Sequence, residues 1–309
     1  MKKLQVFFLL SFLLLATAVS GQPASQQKEL VFATYTYGDN DRLANIRPMS
    51  EYLANKIGAS VRLQSFATIK ELIEQIRAGN VDVAFVNTFG YLLLQTDPVQ
   101  SMVPLATLEV PAEKHGLYGS CLVASRKSSI RSTDDLVYNA HKYNITFAGQ
   151  YSTSGNLLPR LYLNSLGLNN PEEQFNEVHY LNSHANTLLD VKTGNSDLGA
   201  FGIMEYYKML ESGQLKEGDV NLIWKSEEIP LGPVVCKTTM PVKDQRKLRK
   251  ALLKVHKKNP EAVLQIKRAW TEARDADKYV PVTKDYYKYI SNLAGNKKDF
   301  RRLLQAYIQ

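Results

Sequence analysis

From Glu29 onward, short β-favouring runs alternate with stretches whose apolar residues recur at helical spacing. Glu29 to Tyr35 reads as a strand, closed by the polar turn Gly38-Asp39-Asn40-Asp41. Met49, Tyr52, Leu53 and Ile57 mark one face of a helix from Arg47 to Ile57, stopped at Gly58. Val61 to Phe66 alternates as a strand, and Thr68 caps a helix carrying Ile69, Leu72, Ile73 and Ile76. Gly79-Asn80 ends that helix, and a strand from Val81 to Val86 leads into another helix near Thr88. Alternation of this kind predicts an α/β fold with largely parallel strands.

The pattern echoes itself. Gly79-Asn80-Val81-Asp82-Val83-Ala84-Phe85 matches Gly194-Asn195-Ser196-Asp197-Leu198-Gly199-Ala200-Phe201. Each copy follows an amphipathic helix and precedes an apolar-aromatic one, and Gly-Asn suits a helix stop that needs a left-handed residue. Two such units predict two similar lobes rather than one continuous sheet. Gly116 to Ser125 and Pro233 to Lys237 read as the strands that cross between them, with Cys121 and Cys236 as neighbours. Lobe one is then expected over 26–119 plus 238–309 and lobe two over 120–237, with a ligand cleft between them.

The run with most chemistry is Asn144 to Arg160. Ile145 to Ala148 favours a strand; Ser152, Thr153, Ser154 and Gly155 follow, then Leu157, Leu158, Leu161, Tyr162 and Leu166 at helical spacing. Strand, turn and helix put three hydroxyls at a helix start. Unpaired N–H groups and the positive end of the helix dipole attract an anion there. An ordinary helix cap is the competing reading of the same residues. Ser183 likewise caps a helix of Ala185, Leu188, Leu189 and Val191, which puts His184 at a second helix start.

The 309 residues carry a net charge of +8. The first of them read as an export signal: Lys2 and Lys3, an apolar run from Val6 to Ala18, then small residues to Gly21. A cleaved segment of residues 1–21 is expected, with no lipid anchor because no cysteine lies nearby. Removing Lys2 and Lys3 leaves an excess of +6. Lys243 to Lys258 is rich in basic residues spread over most faces of one helix, which is a solvated face and not a nucleic-acid site. Two cysteines outside any C-x-x-C pair exclude zinc ribbons and thioredoxin-type chemistry and leave a disulfide or two buried thiols open. Glu177, His179 and His184, with His141 apart, make no compact metal set, so no metal or cofactor is expected. Ser154, His184 and Asp190 or Asp197 supply the residue types of a serine hydrolase, but the nucleophile-elbow glycine two residues before Ser154 is absent. No enzyme is expected.

With these residues in order, the chain resembles the periplasmic phosphate/phosphite/phosphonate-binding proteins of ABC importers. The resemblance rests on Pro48-Met49-Ser50-Glu51-Tyr52-Leu53, on Gly79 to Ala84 with Tyr91, and on Tyr118-Gly119-Ser120 with Asp134-Asp135-Leu136. Its most specific part is Ser152-Thr153-Ser154-Gly155 with Pro159-Arg160, then Ser183-His184 and Asn195-Ser196-Asp197. It implies a two-lobed periplasmic-binding-protein fold, each lobe a mixed, mostly parallel sheet flanked by helices. It also implies a periplasmic monomer that takes a small phosphorus oxyanion to an inner-membrane permease. An alternative keeps the fold and hands the ligand to a membrane sensor.

By the same resemblance Ser152, Thr153, Ser154 and His184 hold the phosphonyl oxygens. Tyr35, Tyr37, Asn87, Thr88 and Tyr91 close the cleft from lobe one, with Asn87-Thr88 in place of the family's usual Gly-Pro. Relatives that take aminoalkylphosphonates carry acids for the amine. Glu205 lies one residue from one such position, and Gly232 stands at the other, which implies poor provision for an ammonium group.

Overall fold

The computed structural model describes residues 28–38, 40–283, 285–294 and 297–307, so the expected signal segment lies outside it. The first stretch holds β1 (Glu29–Tyr35), α1 (Arg42–Asn55), β2 (Ser60–Phe66), α2 (Ile69–Arg77), β3 (Val83–Phe85), α3 (Thr88–Leu94) and β4 (Met102–Glu109). The middle holds β5 (Ser120–Ser125), α4 (Thr133–Asn139), β6 (Asn144–Phe147), α5 (Leu158–Ser165), α6 (Pro171–Gln174) and β7 (Glu177–Tyr180). It continues with α7 (His184–Thr193), β8 (Leu198–Gly202), α8 (Ile203–Glu211) and β9 (Val220–Lys225). The chain ends with β10 (Pro233–Lys237), α9 (Val242–Lys258), α10 (Pro260–Ala269), β11 (Lys278–Val280), α11 (Lys288–Leu293) and α12 (Lys297–Ala306).

These strands form two sheets, one of six strands in the order β11-β4-β10-β3-β1-β2 and one of five in the order β7-β6-β8-β5-β9. The course β2-β1-β3-β10-β4 repeats as β7-β6-β8-β5-β9: two parallel pairings, then two antiparallel ones. The sequence echo sits at matching places. Gly79 and Gly194 both take left-handed φ, of 78° and 80°, after α2 and α7. Asp82 accepts the Val31 N–H at 2.9 Å and Asp197 accepts the Asn144 N–H at 3.0 Å, each tying the strand start to its parallel neighbour. Their carbonyls accept from Lys237 and Ser125, both at 2.9 Å, which are the antiparallel strands on the other side.

The boundary expected at residue 237 is corrected by these pairings. β10 runs antiparallel between β3 and β4, so the return to the first sheet comes before Pro233, within 226–232. Its short continuous apolar run reads like any strand buried on both faces, and only its partners reveal the sheet it joins. Cys121 and Cys236 are consequently in different sheets, both buried and free, not neighbours on adjacent crossings. The expected helix start at Arg47 is also early in the structure. Asp41 caps α1, its side chain accepting the Ala44 N–H at 2.9 Å, so the helix begins at Arg42 and Pro48 falls inside it.

One apolar cluster fills the six-stranded side, with Phe32, Leu53, Leu105, Leu252 and Ile290 at its centre. Two smaller clusters cover the faces of the five-stranded sheet, around Phe147 and around Phe201. Leu157, Leu158 and Leu161 belong to the large cluster, although they follow β6 of the other sheet. The helix that carries the hydroxyl turn is therefore anchored in the core of the first half.

Candidate functional site

A cavity of about 500 Å³ opens between the two sheets, at the ends of β1, β6 and β8. Its floor is the hydroxyl turn. The helix does not start as a plain α-helix: Thr153–Leu157 forms one π-turn, with the Leu157 N–H reaching the Ser152 carbonyl at 3.0 Å. Such turns recur where a helix start is shaped for a site. Ser152 Oγ accepts the Gly155 N–H at 3.0 Å, which makes it the cap, and its hydroxyl meets the Tyr37 hydroxyl across the cleft. The N–H groups of Thr153 and Ser154 have no acceptor among the described residues. Ser120 donates to the Ser154 carbonyl at 2.6 Å and fixes the turn from β5. Behind it, the buried Asn156 donates to the Gln150 carbonyl at 2.6 Å and accepts from Arg160 at 2.7 Å. Arg160 in turn holds Glu172 and Tyr180.

Glycine permits a close approach where the turn meets its neighbours, and at 155 no larger residue fits without a shift. A Cβ on Gly155 would lie 2.6 Å from the Ala148 Cβ and 3.2 Å from His184 Cε1. A Cβ on Gly202 would come 3.0 Å from Ser154 Oγ. These two positions let the imidazole pack against the turn.

His184 is the first residue of α7, behind the cap Ser183. Its Nδ1 accepts the Gly202 N–H at 2.9 Å, and its Nε2 lies 3.3 Å from the Tyr37 hydroxyl. An N–H aimed at Nδ1 leaves that nitrogen only the acceptor role, so the proton sits on Nε2, facing the cavity. Burial pushes the His184 pKa down to about 4, and the helix start disfavours a second positive charge there. The ring is a neutral donor of fixed tautomer. The same bond dismantles the hydrolase arrangement, because a triad needs a carboxylate at Nδ1. Asp190 instead accepts from Ser196 at 2.5 Å, and Asp197 holds a strand N–H.

From the other half, Tyr35, Tyr37 and Asn87 line the cavity. Burial pushes the Tyr37 hydroxyl up to about 12, so it remains a protonated donor. Asn87 caps α3, accepting from Gly90 at 2.8 Å, and its amide donates across the cleft to the Tyr151 carbonyl at 3.0 Å. Phe89 N–H donates to Thr153 Oγ1 at 3.1 Å, a second link between the halves. Two expected residues lie outside the lining. Thr88 spends its hydroxyl on the Pro230 carbonyl at 2.5 Å, and Tyr91 faces the core, 4.9 Å from the Tyr287 ring centre. Glu205, at the start of α8, does line the cavity, paired with Lys208 at 3.2 Å. Gly232 does not: a Cβ there would lie 2.1 Å from the Val86 carbonyl oxygen, so no side chain fits and its identity carries no information about an amine.

Sequence reasoning missed Arg42, Tyr118, Arg268 and Glu272, all of which line the same cavity. Tyr118 stood in the quoted run before β5 and could have been found there. Arg42 was hidden by the misplaced helix start, and Arg268 and Glu272 arrive from a segment that only the tertiary fold brings close. Burial raises the Glu272 carboxyl, with the Arg42 charge opposing. Among the described residues no group of three or more His, Cys, Asp or Glu side chains is placed to hold a metal, and no helix is long and apolar enough to cross a membrane.

The sequence model of a family described as the ABC transporter, phosphonate, periplasmic substrate-binding protein matches residues 32–287. The chain is 28% identical over 233 residues to the phosphate-import protein PhnD of Mycolicibacterium smegmatis, covering 70% of each. Among solved structures, XAC2383 of Xanthomonas citri, bound to ATP, superposes with a TM-score of 0.71 at 18% identity, over 92% of this chain and 100% of that one. PhnD1 of Prochlorococcus marinus, in complex with methylphosphonate, gives 0.63 at 18% identity, over 86% and 97%. At these identities the two structures bear on the fold alone, and the two-lobed α/β architecture agrees with theirs.

Proposed function

Since the chain belongs to the periplasmic substrate-binding family of phosphonate ABC transporters, we propose that its cleft captures a small phosphorus oxyanion and passes it to an inner-membrane permease. It works as a monomer with one ligand per chain, after removal of residues 1–21. Ser152, Thr153, Ser154 and His184 hold the phosphonyl oxygens, and Tyr37 and Asn87 close over them from the other half.

The observation that carries this reading is the donor set at the π-turn. Two free N–H groups, three hydroxyls and one imidazole Nε2–H converge on one end of the cavity. Donors that are fixed before binding need no reorganisation, and a tetrahedral oxyanion accepts from several directions at once. The names of the relatives point the same way: one is a phosphate importer and one was solved with methylphosphonate.

Calorimetry against phosphate, phosphite, methylphosphonate and 2-aminoethylphosphonate tests it. The expected result is binding of at least one at one site per chain, without turnover. Failure to bind any of the four would remove the ligand class and leave the fold standing.

A further inference from the structure

Arg42 has no task in the cradle. It is 5% exposed yet lies on the cavity wall. Its Nε donates to the Ala269 carbonyl at 3.0 Å, while Nη1 is sequestered from solvent with no partner. Its guanidinium lies 4.5, 5.0 and 4.8 Å from the ring centres of Tyr35, Tyr37 and Trp270. A guanidinium stays charged, and a buried charge without a counter-charge is costly unless an anion comes beside it. Among the described residues Arg42 has no carboxylate within ion-pair distance: its guanidinium meets the Tyr35 hydroxyl, and Glu272 acts on it only through space.

The geometry points to a second anionic subsite: the ligand carries a further negative group a few atoms from its phosphonyl, and the part of the Arg42 guanidinium that borders the cavity receives it. The inference rests on the phosphonate reading of the cradle and names the ligand more closely. Tyr37 sets the spacing, with its hydroxyl on His184 and its ring beside Arg42. The cavity wall carries five cationic side chains against two carboxylates. Lys208 is taken by Glu205, Lys267 by the Ala276 carbonyl at 2.9 Å, and Arg274 by Asp275 at 3.1 Å. Arg268, exposed at the mouth, has no side-chain partner among the described residues and adds to the attraction. About 500 Å³ is also the size of a site for a ligand larger than methylphosphonate. An ammonium group would meet this excess of cations.

Titration calorimetry on the full chain, with 3-phosphonopropionate, propylphosphonate and 2-aminoethylphosphonate, reads the subsite directly. The carboxylate ligand is expected to bind at least tenfold tighter than propylphosphonate, and the amine no tighter than propylphosphonate. Arg42→Gln should weaken 3-phosphonopropionate at least tenfold more than propylphosphonate, and Arg268→Gln about threefold more. Should Arg42→Gln not fold, the exposed Arg268→Gln and the wild-type ligand series still decide. Equal affinity for the carboxylate and propyl ligands, a preference for the amine, or loss of all three by the same factor in Arg42→Gln would overturn the subsite. If methylphosphonate, phosphate and phosphite also fail to bind wild type, the underlying phosphonate reading falls instead.

Discussion

At the end of β1 the six-stranded half presents Tyr35, Tyr37 and, one turn on, the guanidinium of Arg42. At the matching end of β6 the five-stranded half presents Ser152, Thr153 and Ser154 on a π-turn with free N–H groups. After β2 and β7 the pair differs again: Thr68 only caps α2, accepting from Glu71 at 3.1 Å, whereas Ser183 caps α7 and frees His184 to face the cavity. One strand course thus supports two kinds of surface. The second half offers short neutral donors fixed by its own backbone. The first offers long aromatic side chains and a charge, held by packing against α10 and Trp270. A backbone cradle suits a compact tetrahedral group, and long side chains suit whatever extends from it.

The largest effect expected from this contrast comes from His184. Its pKa is about 4 in the folded chain against the usual 6.5. Between these values the unfolded chain takes up a proton that the folded chain refuses, so stability falls as pH drops from about 6.5 to 4. The loss is at most of the order of 3 kcal/mol, because the half-buried ring faces the open cavity and solvent screens part of the effect. Denaturant unfolding at pH 7 and pH 4.5 should show this for wild type and a flatter profile for His184→Gln. Because the ring does not titrate between pH 5 and 8, the affinity profiles of the two proteins should also run parallel over that range.

Thr153→Val and His184→Ala should each weaken phosphonate binding roughly ten- to a hundredfold, since each removes a donor to a charged oxygen. His184→Ala also orphans the Gly202 N–H and Thr153→Val the buried Phe89 N–H, so both should lower the melting temperature; Ser152→Ala loses a cap as well as a donor. A drop in melting temperature with wild-type affinity would make the turn structural. Tyr37→Phe tests the opposite half: removal of a neutral hydroxyl should cost about three- to tenfold in affinity. If it costs more than Thr153→Val, the division of labour between the halves is reversed.

The paired aspartates give a finer comparison. Asp82→Ala and Asp197→Ala each strand one backbone N–H, so each should cost about 1–3 kcal/mol in denaturant unfolding. Asp82 also pairs with Lys237 at 3.0 Å and should stand at the upper end. Smallest of all is the thiol result. Burial pushes Cys121 up and Cys236 up to about 12, so neither should be alkylated in the native protein, and both should be in denaturant without reductant. A single reactive thiol in the native state would show that one half opens without the other.

What the amino-acid order determined was local. Alternation and helical spacing placed β1, β2, α2, α3 and the hydroxyl turn to within a few residues, because side-chain period reports which face is buried. The Gly-Asn-x-Asp echo revealed the repeated half, because a left-handed stop and a strand-start carboxylate are set by neighbours in sequence. The helix starts beneath Thr153 and His184 were legible for the same reason. Tertiary structure decided the rest. It sent β10 into the first sheet, turned Tyr91 to the core and Tyr37 to the cavity, and closed off Gly232 with backbone. It also set the tautomer of His184 through the N–H of Gly202, and brought Arg42 to the Ala269 carbonyl 227 positions away. Such contacts leave no periodicity in the chain, since their energy depends on partners that only the folded sheets bring within reach.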